Sequence, residues 1–307
     1  MENKLLDGVK IIDLSHRLPG PLCGKILSDL GADVIKIEDN EFKDPFLSGL
    51  FAKFDSSFIH WYEELNTNKK ILRFDFNSNE DIQKIGEIIK NADAVIMGIP
   101  HKTRTKLNIT DENLNYNKPF VVIELLASKK DNISMHDLNA LADTGLLSLH
   151  VMDRKDEIIS PPLLPISGIT FGHKGATDLI AGMYKSKISN NTVFVKTYLD
   201  EATENILGIF WPKKDRQLGR KEFLHNGKYP CYNIYKTKDA KYVALAAVED
   251  KYWLRFCELF KIDKTINRFE YDNPSSFEII ANAINMFSAN EIAKIIKSED
   301  LCLSIIN

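Results

Sequence analysis

The sequence predicts an α/β protein in which a doubly wound, Rossmann-like parallel sheet forms a large domain and a smaller α+β domain follows it. Short apolar runs of strand length alternate with helical patterns over the first half of the chain. From about Asn226 the pattern changes to two strand-like runs followed by two helices. We therefore predict a large domain over residues 1–225 and a small one over residues 226–307.

The first predicted unit is a strand, a helix and a second strand. Residues 9–14 form a mostly apolar run of strand length, Pro21 suits the first turn of a helix, and Gly31 can end that helix. Residues 32–37 repeat the buried-strand pattern. Two buried strands joined by one helix pair in parallel with a right-handed crossover, and ligands of such sheets bind beyond the carboxyl ends of the strands. The first such end is the segment 16–21.

The remaining elements follow the same patterns. In the large domain we predict strands over 71–76, 92–99 and 119–126 and a helix over 80–90. In the small domain we predict strands over 229–235 and 242–248 and helices over 252–260 and 276–287.

Composition excludes several classes of protein. The 307 residues carry a formal net charge of −3, which leaves no basic surplus for a nucleic-acid backbone. The chain has no run of about 18 apolar residues, and its first 14 residues are too charged for a signal peptide. We therefore expect a cytoplasmic protein that binds no membrane or nucleic acid. The four cysteines have no CxxC spacing, which favours independent reduced thiols and no metal site.

Several segments, in the same order along the chain, resemble the class III CoA-transferase (CaiB/BaiF) family, which includes the α-methylacyl-CoA racemases. The first is LDGVKIIDLSHRLPGPLCGKILSDLGADVIKIE over residues 6–38. The others are NTNKK at 66–70, ADAV at 92–95, HDLN at 136–139, TDLIAG at 177–182, YNIYKTKD at 232–239 and AVE at 247–249. The resemblance implies the fold predicted above, an acyl-CoA substrate and an interlocked homodimer. It implies no prosthetic group, because coenzyme A is part of the substrate.

The racemase branch is the leading functional hypothesis. Racemising a 2-methylacyl thioester requires two acid–base groups on opposite faces of one carbon. The resemblance places the catalytic histidine at His136 and the catalytic aspartate at Asp178. It also implies that Glu249, from the same or a partner subunit, orients His136, and that Tyr232 hydrogen-bonds Asp178.

Other interpretations of these residues stay open. Without the resemblance, we would interpret His136 as a surface-loop or helix-start residue after a capping Ser134, and Asp178 as a first-turn helix carboxylate. A second function is CoA transfer between carboxylic acids, with Asp178 as the nucleophile that forms an aspartyl intermediate. The third is a degenerate, non-catalytic relative.

The resemblance also implies a set of CoA contacts beyond three strands. They are Arg17, Leu18 and Pro19 after the first strand, Phe74 and Asn77 after the third, and Gly98, Ile99 and Lys106 after the fourth.

The chain departs from the family in its basic residues and its length. The family's basic residues are replaced at Asp39, Asn77 and Pro100. Lysines can supply point charges in their place, although a solvated lysine face is the alternative; they are Lys69, Lys70, Lys102 and Lys106. The sequence also ends before the family's C-terminal return segment, so we expect uncovered apolar surface unless a partner subunit covers it.

Overall fold

A computed structural model describes residues 4–130, 134–151, 156–210, 224–271 and 273–306. The chain divides into two compact units, Met1–Pro212 and Lys213–Asn307. Each unit has its own sheet and its own hydrophobic core. The predicted domain boundary after residue 225 lies downstream of this division.

The first unit is built on six parallel strands in the order β3-β2-β1-β4-β5-β6. The strands are β1 (Lys10–Leu14), β2 (Asp33–Asp39), β3 (Lys70–Phe74), β4 (Ala94–Met97), β5 (Phe120–Leu126) and β6 (Thr192–Tyr198). The order reverses between β1 and β4, so the chain winds outward in both directions from this pair. The predicted doubly wound parallel sheet is confirmed.

Helices cover both faces of this sheet. They are α1 (Pro19–Asp29), α2 (Leu50–Phe54), α3 (Ser57–Leu65), α4 (Asn79–Lys90), α5 (His101–Lys106), α6 (Asp137–Asp143), α7 (Leu146–Val151), α8 (Ile166–Ser189) and α9 (Leu199–Leu207). Alternate strand residues point to opposite faces. Ile12 therefore packs in the core beneath α4, whereas Ile11 packs in the core beneath α1 and α8.

The second unit is a three-stranded antiparallel sheet with helices, as predicted for an α+β domain. Its elements are β7 (Tyr232–Lys236), β8 (Tyr242–Ala246), α10 (Asp250–Phe260), α11 (Pro274–Asn285), α12 (Ala289–Ser298) and β9 (Leu303–Ile306). We did not predict β9 from the sequence. It pairs with β8, so Leu303 and Ile305 join the core of this unit.

Two further features bear on function. All four cysteines are free thiols. Across the described residues, no helix has the length and hydropathy needed to span a bilayer, and no group of three or more His, Cys, Asp or Glu side chains is placed to hold a metal ion.

Candidate active site

The carboxyl ends of β1 and β4 meet at the point where the strand order reverses. The backbone N–H of Gly98 donates to the carbonyl oxygen of Leu14 at 2.9 Å. A Cβ at Gly98 would lie 2.7 Å from Ser15 Cβ, so only glycine allows this close approach. The structure therefore brings together the predicted segments after the two strands: Arg17, Leu18 and Pro19 beside Gly98 and Ile99. Their contact with CoA stays a prediction.

The third predicted segment joins the same edge. Phe74 ends β3 and packs partly into the core beneath α4. Asn77 follows in an exposed loop, and its Oδ1 accepts a hydrogen bond from Lys106 Nζ at 2.5 Å. Asn77 and Lys106, which we placed at two different contact segments, are thus direct partners.

The side chains of the loop after β1 point in different directions. The guanidinium of Arg17 lies 5.5 Å from the ring centroid of Phe51, a cation–π contact at the surface. Leu18 packs against an aromatic cluster that includes Phe46 and Tyr62. Arg17 is exposed and adds a positive charge to this edge of the sheet, whereas Leu18 is half-buried and adds an apolar surface.

His16, between these residues and β1, is a site candidate that we did not single out from the sequence. The pKa of His16 is lowered from its ordinary value, mainly because the ring is buried and secondly because Lys36 is nearby. The carboxylates of Asp44 and Asp13 act in the opposite direction but do not outweigh these effects. His16 is therefore neutral at pH 7 and offers one donor and one acceptor nitrogen. Its position in the segment 16–21 was the only sequence signal for it.

Lys69 is neither the point charge for phosphate nor the solvated lysine that the sequence suggested as alternatives. Its side chain is fully buried, and Nζ donates to Asp13 Oδ2 at 2.9 Å, to the Pro21 carbonyl at 2.7 Å and to Asn66 Oδ1 at 3.0 Å. All three donors of the ammonium group are used inside the protein. Of the lysines expected to compensate, Lys70, Lys102 and Lys106 are exposed.

His136 lies at the N-terminus of α6 and is exposed. It is itself the residue that precedes the helix, so Ser134 is not the cap, and its backbone N–H donates to Asn139 Oδ1 at 3.0 Å. The exposed imidazole is free of the core and accessible to a ligand. The helix-start interpretation of His136 and a functional one are compatible.

Asp137 connects His136 to the start of α8. Its Oδ1 accepts the backbone N–H of Gly168 at 2.8 Å. Burial raises the pKa of Asp137, although backbone hydrogen bonds from Gly168 and Ser167 work in the opposite direction. A Cβ at Gly168 would lie 2.9 Å from Leu18 Cδ2, so α8 begins directly against the loop after β1. His136 therefore stands near the predicted CoA-binding loop.

Asp178 lies elsewhere on α8. It is in the middle of this 24-residue helix, so the first-turn interpretation is wrong. Lys174 Nζ donates to its Oδ1, and Thr197 Oγ1 donates to its Oδ2 at 2.7 Å. Ten residues separate it from Gly168, which at a rise of 1.5 Å per residue is about 15 Å along the helix. Asp178 therefore lies about three helical turns along α8 from the residue that Asp137 contacts.

The two predicted residues of the small unit lie on its sheet and at a helix start. Tyr232 begins β7 and is half-buried, with its ring centroid 5.0 Å from that of His225. Glu249 is exposed and precedes α10, and its carbonyl oxygen accepts the backbone N–H groups of Tyr252 and Trp253. The proposed contacts of Tyr232 and Glu249 with the catalytic pair stay predictions.

Comparisons with known proteins agree with the resemblance. The human α-methylacyl-CoA racemase is 22% identical over 97% of this chain and 77% of its own length. The (R)-2-hydroxy-4-methylpentanoate CoA-transferase of Clostridioides difficile is 23% identical over 97% of this chain and 78% of its own. A CaiB/BaiF family protein from Brucella suis has a crystal structure with a TM-score of 0.78 to this fold, at 17% identity, covering 100% of this chain and 85% of that one.

These likenesses extend beyond single relatives. The model of CoA-transferase family III matches residues 6–307, which is nearly the whole chain. The resemblance noted in the sequence is thereby confirmed, and the chain belongs to CoA-transferase family III.

Proposed function

We propose that this protein acts on an acyl-CoA thioester and that His136 transfers the α-proton of the acyl group. The observation that carries the proposal is the path from His136 through the Asp137–Gly168 hydrogen bond to Leu18 in the loop after β1. It supports a base beside the edge where Arg17, Gly98 and Lys106 are proposed to hold the CoA part of the substrate. Family members act on acyl-CoA substrates, and an α-methylacyl-CoA racemase is among the relatives.

In this proposal the neutral imidazole of His136 accepts the α-proton and the enolate is reprotonated. Exchange of the proton needs one base, whereas racemisation needs a second group on the opposite face of the carbon. We inferred Asp178 for that role from the family resemblance. Its ion pair with Lys174 and its distance along α8 favour a structural role, so the experiment must test the two residues separately.

Solvent deuterium incorporation at C2 of a 2-methylacyl-CoA tests this directly. We expect incorporation by the wild type and a loss of at least about 100-fold in His136→Gln, the range typical of removing a general base. His60→Gln, an exposed histidine on α3, is the matched control and should keep the wild-type rate. Intact protein that binds CoA but exchanges no deuterium would refute the proposal.

The optical activity of the product distinguishes one base from two. If Asp178 is the second base, Asp178→Asn stops racemisation of a single enantiomer while the exchange rate changes less. If Asp178 is structural, Asp178→Asn keeps both rates and lowers stability only. We expect the second result from the position of Asp178 in α8.

CoA transfer is the second candidate because a CoA-transferase is a relative at similar identity. It requires a carboxylate nucleophile, which we inferred to be Asp178. Hydroxylamine in the presence of acyl-CoA would then modify this aspartate, and His136→Gln would keep the activity. Neither deuterium exchange nor acyl transfer, together with no CoA binding in calorimetry, would indicate a non-catalytic relative.

A further inference from the structure

Two buried charged residues hold the loop that follows β1. Lys36, on β2, donates from Nζ to the carbonyl oxygen of Ser15 at 2.6 Å. The same Nζ lies 3.4 Å from Asp44 Oδ2. The two carboxylate oxygens of Asp44 in turn accept the backbone N–H of Arg17, at 3.2 and 3.1 Å. The backbone is thus fixed on both sides of His16.

The bond to Asp44 acts on a strained residue. Arg17 has φ of 64°, in the left-handed region that residues with a Cβ rarely adopt. Such a conformation persists only where the surroundings hold it, and functional sites are where it concentrates. Asp44 also accepts the N–H of Phe46 at 3.0 Å, which fixes the carboxylate itself. The direction in which the Arg17 side chain leaves the loop therefore depends on Asp44.

Charges of opposite sign surround the buried pair of Lys36 and Asp44. Lys36 Nζ also lies 4.0 Å from Glu38 Oε1, and Glu38 accepts hydrogen bonds from Tyr62 Oη at 2.9 Å and from Arg73 Nε at 3.1 Å. The side chains of Lys36, Glu38 and Asp44 are all fully buried. Buried ion pairs are often no more stable than apolar packing in the same space. Stability alone is therefore a poor explanation for burying three charges beneath one loop.

We propose that Lys36 and Asp44 are positioning residues that hold residues 15–19 in the conformation that binds the CoA part of the substrate. The inference rests on the proposed function, since it assigns a ligand to this loop. Neither residue touches the ligand, because both side chains are fully buried. They act through the Ser15 carbonyl and the Arg17 N–H, and so through Arg17, Leu18 and Pro19.

Asp44→Asn is the primary test because it keeps the shape of the side chain and one acceptor oxygen. CoA binding is measured by calorimetry, and exchange of the Arg17 backbone amide is measured by hydrogen–deuterium exchange. We expect CoA binding to weaken by about tenfold or more, since a charge-assisted bond to a strained backbone is weakened. We also expect the Arg17 amide to exchange faster than in the wild type.

Asp93→Asn is the matched control. Asp93 Oδ2 accepts the backbone N–H of Lys10 at 2.8 Å, so the same kind of bond is weakened at the amino end of β1, the opposite edge of the sheet. This variant should bind CoA as the wild type does. Lys36→Met is a second variant; because it leaves carboxylates unpaired it can fail to fold, and the decision therefore rests on Asp44→Asn.

The outcomes separate the two proposals. If wild-type protein binds no CoA, the proposed function fails and this inference fails with it. If the wild type binds CoA and Asp44→Asn binds it equally well, only the inference is overturned, whatever the change in melting temperature. Unchanged exchange of the Arg17 amide in Asp44→Asn overturns it as well. A purely structural Asp44 would lower the melting temperature and speed exchange of the Arg17 amide, but it would leave CoA binding as in the wild type.

Discussion

Replacing Lys69 with methionine tests the buried ion pair beneath the first helix. Lys69 Nζ makes hydrogen bonds to Asp13, to the Pro21 carbonyl and to Asn66 Oδ1, and both charged side chains are fully buried. Methionine has a similar length but no donor. The substitution leaves the Asp13 carboxylate buried without its closest cation and leaves the Pro21 carbonyl without that donor.

The expected loss follows from this geometry. Removing one partner of a buried ion pair costs about 3–5 kcal/mol, because the other charge stays in the protein without compensation. In a folding unit of this size, 1 kcal/mol shifts the melting temperature by about 2–4 °C. We therefore expect Lys69→Met to lower the melting temperature of the first unit by roughly 6–20 °C.

Differential scanning calorimetry measures this shift, and Lys25→Met is the matched control. Lys25 pairs with Asp29 on α1, one turn away, but the two side chains are 25% and 48% exposed. Such a pair contributes only about 0.3–0.5 kcal/mol. A shift in Lys69→Met no larger than that in Lys25→Met would refute the reasoning. The double variant Asp13→Asn/Lys69→Met should recover part of the loss, because it leaves no unpaired charge.

Three further predictions concern packing, acid and thiols. Gly20→Ala should lower the free energy of unfolding in urea by about 1–3 kcal/mol or more, because its Cβ would lie 2.2 Å from Ser15 Cβ. Gly86→Ala on α4, where a Cβ would have nothing within 4 Å, should raise it by roughly 0.5–1 kcal/mol. Burial raises the pKa of Asp13, but Lys69, Lys36 and Ser15 outweigh it and leave the pKa lowered. The ionised Asp13 carboxylate therefore contributes its full stabilisation above the ordinary aspartate pKa of about 3.9, and this stabilisation is lost as pH falls from there towards the folded-state pKa. Asp13→Asn should flatten that part of the acid-unfolding curve. Iodoacetamide should alkylate half-buried Cys302 in the native protein and Cys23 only after unfolding, as mass spectrometry of the peptides would show. Burial raises the thiol pKa of both cysteines, so the difference comes from access: the Cys23 side chain is fully buried, whereas Cys302 is partly exposed.

The sheet was predictable because its signals are local. Apolar runs of strand length, helical spacing and a glycine after the first helix identify β1, α1 and β2 from a short window of sequence. Gly31 has φ of 100°, as its position after the helix predicts. The position of the candidate site at the carboxyl ends of the strands followed from the predicted parallel sheet. This is why Arg17, Leu18, Gly98 and Ile99 lie together as expected.

Other features depend on tertiary contacts that a pattern does not encode. β9 is a strand because it pairs with β8, and its four residues resemble an ordinary chain end in the sequence. Lys69 is indistinguishable from a surface lysine until its partner Asp13, more than fifty residues earlier, is placed beside it. Asp178 matched a family segment, but its place along α8 depends on where that helix begins. Because α8 has 24 residues, a residue in its middle such as Asp178 lies far along the helix from the residues at its start.

The arginines show what kind of phosphate contact this fold can offer. Five of the eight lie in the described residues, and four of these are engaged in ion pairs within the protein; they are Arg73, Arg104, Arg255 and Arg268. The fifth, Arg17, lies over an aromatic ring at the carboxyl edge. Among the described arginines, only Arg17 thus lies at this edge outside an ion pair, and exposed lysines such as Lys102 and Lys106 present point charges there. On our proposal, the CoA phosphates are held mainly by lysine charges, which impose little geometry on the ligand. The loop held by Lys36 and Asp44 then supplies the fixed geometry of the binding site.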